Sequence, residues 1–403
     1  MVYRDTVGGG LVRKGSDFSR NILLLGLISF FADISSEMAY PLIPLYLTAA
    51  FGATPVLVGV IEGIAESLAS LLKVFSGYLS DTYHRKKPIA FCGYATGLLY
   101  KVALLFATSW VGVLAARVID RFGKGMRTAP RDVMIAESAT EGRMGGAFGV
   151  HKALDMAGSA VGILLAWLLL RRFTSGYKTI FALSAIPVLL ALGLFAFVRE
   201  KREPRERKPR ERFWKNVRML DKNLTLYLLV SFLFTLGNSS NTFLLLKAGS
   251  IGFSDADVIL LYFVYNLVAS LLSIPFGKRS DRRGRKRVLV AGYCVFSIVY
   301  LGFAFVTAKS VLVAVFALYG LYTAMVTGVE RAFIAEIAPP ELKGTMLGLQ
   351  STLVGVALLP ASVIAGALWY TVGSFAPFCF GAAMSAAAAL LLGVGLRVER
   401  SER

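Results

Sequence analysis

Residues 77–88 read GYLSDTYHRKKP, and residues 277–288 read GKRSDRRGRKRV. Each stretch has a glycine, an aspartate four residues later and then a cluster of bases, and each lies between two long apolar runs. Short basic loops between apolar segments are typical of membrane proteins, because Lys and Arg are retained on the cytoplasmic side. The recurrence of the pattern at a spacing of about 200 residues predicts a duplicated chain.

The composition also indicates a membrane protein. The 403 residues are 56% hydrophobic and only 17% charged, and the mean hydropathy is +0.64. A bilayer core of about 30 Å needs about 20 apolar helical residues, and the segments are rich in Gly, Ala and Leu rather than alternating as barrel strands do. We predict twelve helical spans, at 20–50, 56–80, 88–108, 110–137, 146–171, 177–198, 222–248, 255–278, 287–307, 310–337, 345–370 and 375–397.

The net charge of +19 follows the predicted topology. Bases cluster before the first span, at 85–87, at 199–218, at 278–287 and at the C-terminus, which is every second loop. This pattern predicts a multi-pass protein of the cytoplasmic (inner) membrane with both termini in the cytoplasm, although Arg171, Arg172 and Lys178 fall on the outer side. No basic stripe has a folded, aromatic-bearing module of its own, so we expect no nucleic-acid partner.

A charged, proline-containing segment at 199–221 separates the two repeats. Such a segment cannot bury itself, so we predict a cytoplasmic linker between an N-terminal six-helix bundle at 1–198 and a C-terminal one at 222–403. Further matches across the linker are Ile135-Ala136-Glu137 with Ile334-Ala335-Glu336, and Gly149 with Gly348.

Two repeated six-helix halves joined by a long loop resemble the major facilitator superfamily. The loop at 277–288 matches the signature that this superfamily carries between paired helices, whereas Thr82 and His84 weaken the first copy. Arg121, Lys124 and Gly125 match a second signature, with lysine where glutamine is usual. The resemblance covers the whole chain. It implies an all-α membrane protein with twelve transmembrane helices in two pseudo-symmetric six-helix bundles.

The resemblance also implies a conformational latch, in which the loop aspartate and arginine hold the halves together in one conformation. Glycines there would allow two backbones to approach closely, and aspartates would cap a helix or face its positive end. The predicted latch residues are Gly77, Asp81, Gly277, Asp281 and Arg282.

Ionisable residues inside the spans are candidates for function, because a charge at mid-bilayer costs about 2.5 to 3.5 kcal/mol. A rise of about 1.5 Å per residue places Asp33, Arg117, Arg121 and Asp155 at overlapping depths, which predicts one polar cluster. The alternative is that these residues form satisfied ion pairs that hold the first half together. The candidates for proton coupling or for lining a cavity are Asp33, Glu37, Glu66, Arg117, Arg121 and Asp155.

The second half contributes uncharged polar residues at the corresponding place. Asn238 and Asn241 lie in the seventh span, and we group them with Tyr40 and His151 as candidates for the substrate cavity. The asymmetry predicts proton handling in the first half and substrate hydrogen bonding shared with the second.

Two charge pairs predict an inner gate. Arg131 and Asp132 align with Glu330 and Arg331 in reversed charge order. We expect contacts from Arg131 to Glu330 and from Asp132 to Arg331 when the carrier opens outward. The alternative is separate pairs within each half.

These observations predict a secondary active transporter that moves a small organic solute by alternating access, with proton-coupled export (antiport) favoured. Gly158 and Gly162 supply half of the superfamily's antiporter signature, but Ile163 stands where proline is usual. The alternatives are a proton symporter or importer, and a lipid-moving or receptor-like member of the superfamily. The expected partners are a small-molecule substrate, protons and the lipid bilayer, and the expected state is a monomer.

The sequence predicts neither an enzyme nor a cofactor, since no phosphate-binding glycine loop or activated nucleophile is present. His84 and His151 are too far apart for a zinc site, and the three cysteines show no paired spacing. We therefore expect no metal.

Overall fold

The computed structural model describes residues 16–83, 86–138, 144–173, 176–200, 222–338 and 343–396. All regular secondary structure within these ranges is helical, which confirms the all-α prediction. Residues 201–221 of the predicted linker lie outside the described residues.

The helices of the first half are α1 (Ser16–Ala39), α2 (Leu42–Phe51), α3 (Pro55–Tyr83), α4 (Lys86–Phe106), α5 (Trp110–Ser138), α6 (Met144–Arg172), α7 (Tyr177–Leu183) and α8 (Ala185–Leu194). Those of the second half are α9 (Lys222–Gly237), α10 (Thr242–Ser250), α11 (Asp255–Arg283), α12 (Arg285–Phe305), α13 (Lys309–Ile337), α14 (Lys343–Thr371) and α15 (Ala376–Leu390). A 3₁₀ turn at Phe195–Phe197 follows α8, and a π-helical turn at Leu391–Gly395 follows α15.

Three predicted spans are each divided into two helices, which corrects their prediction as continuous. The first breaks at Tyr40 and Pro41, where proline has no N–H to continue the helical ladder. The sixth breaks at Ser184, and the seventh is unwound at 238–241. The first helix of each half is therefore discontinuous, which is the geometry that presents free backbone groups to the interior of membrane transporters.

Eleven segments within the described ranges are long and apolar enough to cross a membrane. The fourth predicted span, which corresponds to α5, is absent from that set. Its 29 residues are ample for a crossing, but they carry a dense run of acids and bases. The chain is a multi-pass membrane protein, and whether α5 forms a further span depends on how its charges are accommodated.

The two halves pack through α3 and α14. A Cβ added to Gly59 would collide with the backbone carbonyl oxygen of Ser362. At Gly366 it would lie 2.7 Å from the carbonyl oxygen of Pro55, and at Gly355 it would lie 2.7 Å from Ser70 Cβ. Small residues let these backbones approach closely without a hydrophobic driving force in lipid. The halves are thus in contact along the part of α3 that is farther from the basic loops.

Two further contacts hold the halves together on this side of the molecule, away from the basic loops, which we call the closed face. The Tyr177 hydroxyl at the start of α7 donates a hydrogen bond to Asp255 at the start of α11. The rings of Tyr40 and Tyr262 lie 6.0 Å apart, which joins the break in the first span to α11.

Each half has the same internal ion pair and backbone cap, which we call its brace. In both halves a base at the start of a helix pairs with a glutamate near the end of another, and the next base donates to a carbonyl at the end of the half. The first brace is Lys86 to Glu137 and Lys87 Nζ to the Val198 oxygen at 2.7 Å. The second brace is Arg285 to Glu336 at 2.9 Å and Lys286 Nζ to the Leu396 oxygen at 2.6 Å. The repeat seen in the sequence is therefore also a repeat of contacts.

Candidate functional site

Two arginines of α5 each form an ion pair with a glutamate of α3. Arg117 donates from Nε to Oε1 of Glu62 at 2.9 Å and from Nη2 to Oε2 at 2.6 Å. Arg121 Nη2 lies 2.8 Å from Glu66 Oε1. Asp120 lies between these two ion pairs, and its Oδ2 atom is 3.4 Å from Arg117 Nη1 and 3.7 Å from Arg121 Nε. Each of these two buried arginines thus has a carboxylate partner, as buried ions require.

Tyr40, which directly follows α1, covers these two ion pairs. The guanidinium carbons of Arg117 and Arg121 lie 5.1 and 5.4 Å from its ring centroid, within the range of cation–π contacts. The break at Tyr40 thus sets an aromatic face against both arginines.

A separate pair of acids joins α1 to α6. The Asp33 and Asp155 carboxyl groups lie close enough to interact strongly with each other, and Lys152 Nζ lies 2.9 Å from Asp155 Oδ2. The Asp155 side chain is 20% exposed. Two carboxylates this close repel each other unless a proton lies between them. We call Asp33 and Asp155 the acid pair.

The predicted single cluster of Asp33, Arg117, Arg121 and Asp155 is therefore divided in two. The rise along each helix predicted the same depth in the membrane for all four residues, but helix packing decides which of them are in contact. α5 packs on α3, so its arginines meet Glu62 and Glu66, whereas α1 packs on α6, so Asp33 meets Asp155.

Glu37 lies between the halves. Its carboxyl lies near Tyr262 on α11 and interacts with it electrostatically. Its Oε2 atom is buried and has no hydrogen-bond partner among the described residues. A polar atom in this state has a strong tendency to bind an incoming donor or a proton.

His151 lies inside the first half. Its Nε2 atom is 2.8 Å from Ser29 Oγ, which in turn is 3.0 Å from the Tyr94 hydroxyl. Only 4% of His151 is exposed. The structure thus places this predicted cavity residue in a network between α1, α4 and α6.

In the second half a set of tyrosines holds the unwound segment 238–241. Asn238 Nδ2 donates to the Tyr322 hydroxyl at 3.0 Å, and Asn241 Nδ2 donates to the Tyr265 hydroxyl at 3.2 Å. The Tyr319 hydroxyl donates to Asn241 Oδ1 at 2.7 Å. The predicted polar residues are therefore positioned by aromatic hydroxyls from α11 and α13.

Sequence reasoning did not assign Tyr262, Tyr265, Tyr319 or Tyr322 to the site. The signal was available, because tyrosines repeat along α11 and α13 at helical spacing in apolar runs and a buried hydroxyl needs a partner. Glu62, the bidentate partner of Arg117, was likewise left out of the predicted site residues.

The predicted latch is described only in its second copy. Asp281 Oδ1 accepts from Arg285 Nη2 at 3.0 Å, so it belongs to the brace of its own half, and Arg282 is exposed. The close approach of two backbones expected at Gly277 is not formed in this conformation: Gly277 lies inside α11, which continues to Arg283, and no described atom lies within 4 Å of a Cβ built there. The surroundings of Gly77 and the side chain of Asp81 lie outside what the structure describes.

The predicted inner-gate residues have partners within their own halves. Arg131 pairs with Asp132 at 2.9 Å, and the Tyr293 hydroxyl donates to Glu330 Oε1 at 2.8 Å. Arg331 is exposed. The contacts between the halves that were expected for an outward-open state are not formed in this conformation, in which the opposite face is closed.

The described residues contain no group of three or more His, Cys, Asp and Glu side chains that could hold a metal ion. What they bring together is a set of buried ionisable groups in one half, a set of hydrogen-bonding tyrosines in the other, and broken helices between them. Repeated halves with this arrangement are typical of membrane transporters.

Comparison with known proteins identifies the family. The model of the Major Facilitator Superfamily matches residues 25–248 and 227–403. The chain belongs to this superfamily, which confirms the resemblance found in the sequence.

Similar proteins cover nearly the whole chain. An uncharacterised MFS-type transporter of Methanocaldococcus jannaschii is 36% identical over 382 residues, which are 93% of this chain and 95% of the relative. A multi-drug resistance efflux pump PmrA homolog of Lactococcus lactis is 24% identical over 340 residues, or 81% of this chain and 83% of the relative. The crystal structure of a mutant of the nucleoside transporter NupG superposes with a TM-score of 0.77 at 12% identity, covering 93% of this chain and 98% of that one.

Proposed function

We propose that this protein is a proton-coupled exporter (antiporter) of a small organic solute, with twelve membrane spans in two six-helix bundles that alternate access to a site between them. The acid pair is the observation that carries the proposal. Arg117 and Arg121 are already neutralised by Glu62 and Glu66, whereas Asp33 and Asp155 bring two carboxyls together in the membrane interior. Such a pair gains and loses a proton readily when a neighbouring charge moves.

The substrate site of this proposal lies between the acid pair and the tyrosines of α11 and α13. Glu37 and Tyr40 reach Tyr262 across the halves, so a solute bound there would contact both halves at once. Broken helices next to such a site supply free backbone groups for binding. The efflux name of the Lactococcus relative supports export over import.

Topology is part of the proposal. The basic loops follow the positive-inside rule, so we place them and both termini in the cytoplasm and the protein in the cytoplasmic membrane. In this orientation the closed face described above is the outer one, and the conformation is inward-facing.

The proton coupling is testable without knowing the orientation of the protein in vesicles. A growth screen of deletion and overexpression strains against toxic compounds and metabolites first supplies a substrate. That substrate is then added outside proteoliposomes that contain a pH-sensitive dye. Antiport makes the lumen more alkaline as protons leave, symport makes it more acidic, and an uncoupled carrier leaves the pH unchanged.

Variants connect this result to the acid pair. Asp33→Asn removes the shared proton site, so we expect substrate-driven proton movement to be lost while exchange of labelled substrate continues. Asp257→Asn is the matched control, because this acid lies at the exposed N-terminal turn of α11 beside Ser254. Proton movement that persists in Asp33→Asn would exclude the acid pair from coupling.

The inner gate remains a proposal that cross-linking can test. Cysteines at positions 131 and 330 should form a disulfide when substrate conditions favour the outward-open state. A pair that never cross-links in any state contradicts the gate.

A further inference from the structure

We propose that an anionic phospholipid binds in a groove between α11 and α12, next to the loop that joins them. The groove has a volume of about 580 Å³, which is in the range of small-molecule sites. Arg279, Arg283 and Arg287 line it, over a floor formed by Phe276, Ala291 and Met325. We call it the arginine groove.

The three arginines are available for a ligand. All three are exposed, and among the described residues none of them has an ion pair or a side-chain hydrogen bond. The neighbouring Arg285, in contrast, pairs with Asp281 and Glu336. Guanidinium groups bind phosphate oxygens in a bidentate fork, so the unpaired set fits a phosphodiester.

The position of the groove favours a lipid as the source of that phosphate. Arg287 continues an exposed stripe of α12 that runs through Ala291, Cys294 and Ile298. On α11 the exposed Leu271 and Ile274 lead toward the arginines. The groove thus has basic groups at the end of the helices and apolar surface deeper in the bilayer, as a headgroup and its acyl chains require. Basic pockets between transmembrane helices bind anionic lipid headgroups in this way.

The first half shows that the fold does not require these bases. At the offset of 200 that aligns Asp81 with Asp281, Leu79 and Tyr83 stand where Arg279 and Arg283 stand in the second half, and at the offset of 199 that aligns the two braces, Pro88 stands where Arg287 stands. The braces, in contrast, recur in both halves. The arginine groove is therefore an addition to the repeat rather than a part of it.

The test measures phosphatidylglycerol binding to the purified full-length protein by native mass spectrometry and by lipid-dependent thermal stability. Replacing all three groove arginines by glutamine should weaken binding on the order of a hundredfold, since each base near the surface contributes about fivefold. The control replaces three exposed bases at the opposite end, Arg171, Arg172 and Lys178, by glutamine. It removes the same charge and should change affinity by less than about twofold.

A second pair of variants separates the groove from general attraction of charge. Ala291→Trp fills the groove without changing any charge, and Ala314→Trp adds the same side chain at an exposed position near the start of α13, away from the groove and from the α12 stripe. We expect Ala291→Trp to lose phosphatidylglycerol binding and Ala314→Trp to retain it. Replacement of the three arginines by lysine keeps the charge but removes the bidentate fork, so its affinity should lie between those of the unchanged protein and the glutamine variant.

Three outcomes would overturn the proposal. One is equal loss in the groove and control triple variants, and another is full binding by Ala291→Trp. The third is equal stabilisation by phosphatidylcholine or by inorganic phosphate, which would mean that the site does not select an anionic lipid. None of these results depends on transport activity.

Discussion

The two halves share one helical layout but fill it with opposite chemistry. In the first half Arg117 and Glu62 join α5 to α3 by a buried ion pair, whereas the corresponding helices of the second half, α13 and α11, use Tyr319 and Tyr265 around Asn241. The repeat was therefore retained in the helix breaks and in the braces, while the interior diverged. The two halves share their helix arrangement, whereas the side chains in the interior of each half differ in chemistry.

The ion pair between Arg117 and Glu62 should be the most costly part of this comparison to break. Glu62→Ala leaves a guanidinium that is 1% exposed without its bidentate partner, so we expect a loss of about 3 to 5 kcal/mol in unfolding free energy. The paired change of Glu62→Leu with Arg117→Met removes both charges and should recover most of that loss. Thermal unfolding in detergent measures both, and a double variant as unstable as the single one would contradict this account.

Disturbing the contact between α3 and α14 at the closed face should have the next largest effect on stability. Gly59→Ala places a methyl group against the Ser362 carbonyl, which should destabilise this face by about 1 to 3 kcal/mol and shift the population toward its open form. We expect a cysteine at Ala365 to react at least about fivefold faster with an impermeant thiol reagent. Gly249→Ala is the control, since nothing lies within 4 Å of its added Cβ. Equal labelling rates would show that this contact does not hold the face shut.

The tyrosine network of the second half should be less costly to disturb, because it holds no buried ion. Tyr319→Phe removes the donor to Asn241 Oδ1 and should cost about 1 to 2 kcal/mol. It should also raise KM for the substrate found in the screen. Tyr370→Phe, at a residue that is 67% exposed, should change neither value. A change in stability as large as that of Glu62→Ala would argue against the contrast between the halves.

Breaking the braces should change the unfolding free energy least, and the two braces should differ in strength. Lys86 and Glu137 are 14% and 26% exposed, whereas Arg285 and Glu336 are 29% and 42% exposed. Because solvent screens exposed pairs, Glu137→Gln should destabilise more than Glu336→Gln, with each below about 1 kcal/mol. The reverse order in thermal unfolding would show that exposure does not set the strength of the brace.

Much of the fold could be predicted from the sequence, because composition and repetition report it directly. Apolar length indicated the spans, and the paired glycine–aspartate–base loops indicated the duplication. The break at Tyr40 and Pro41 was missed, because the apolar run continues across it. The polar residues at 238–241 were noticed, but their unwinding depends on tyrosines far along the chain, which no local pattern reports.

The site was harder to predict, since depth along a helix does not specify its neighbours. Asp33, Arg117, Arg121 and Asp155 were predicted to share one depth in the membrane, but the rotation and packing of each helix separate them into two groups. The bidentate contact of Arg117 with Glu62 joins residues 55 positions apart. Such a contact follows from tertiary packing alone.

The charges of α5 also constrain how the protein is made. On the insertion scale each central arginine, lysine or aspartate costs about 2.5 to 3.5 kcal/mol, so α5 enters the bilayer poorly by itself. Glu62 and Glu66 on α3, which leaves the ribosome earlier, neutralise two of its arginines. We therefore expect the translocation machinery to keep α3 within reach until α5 has been synthesised. The ion pairs that stabilise the finished protein would then also set the order in which its helices can be released into lipid.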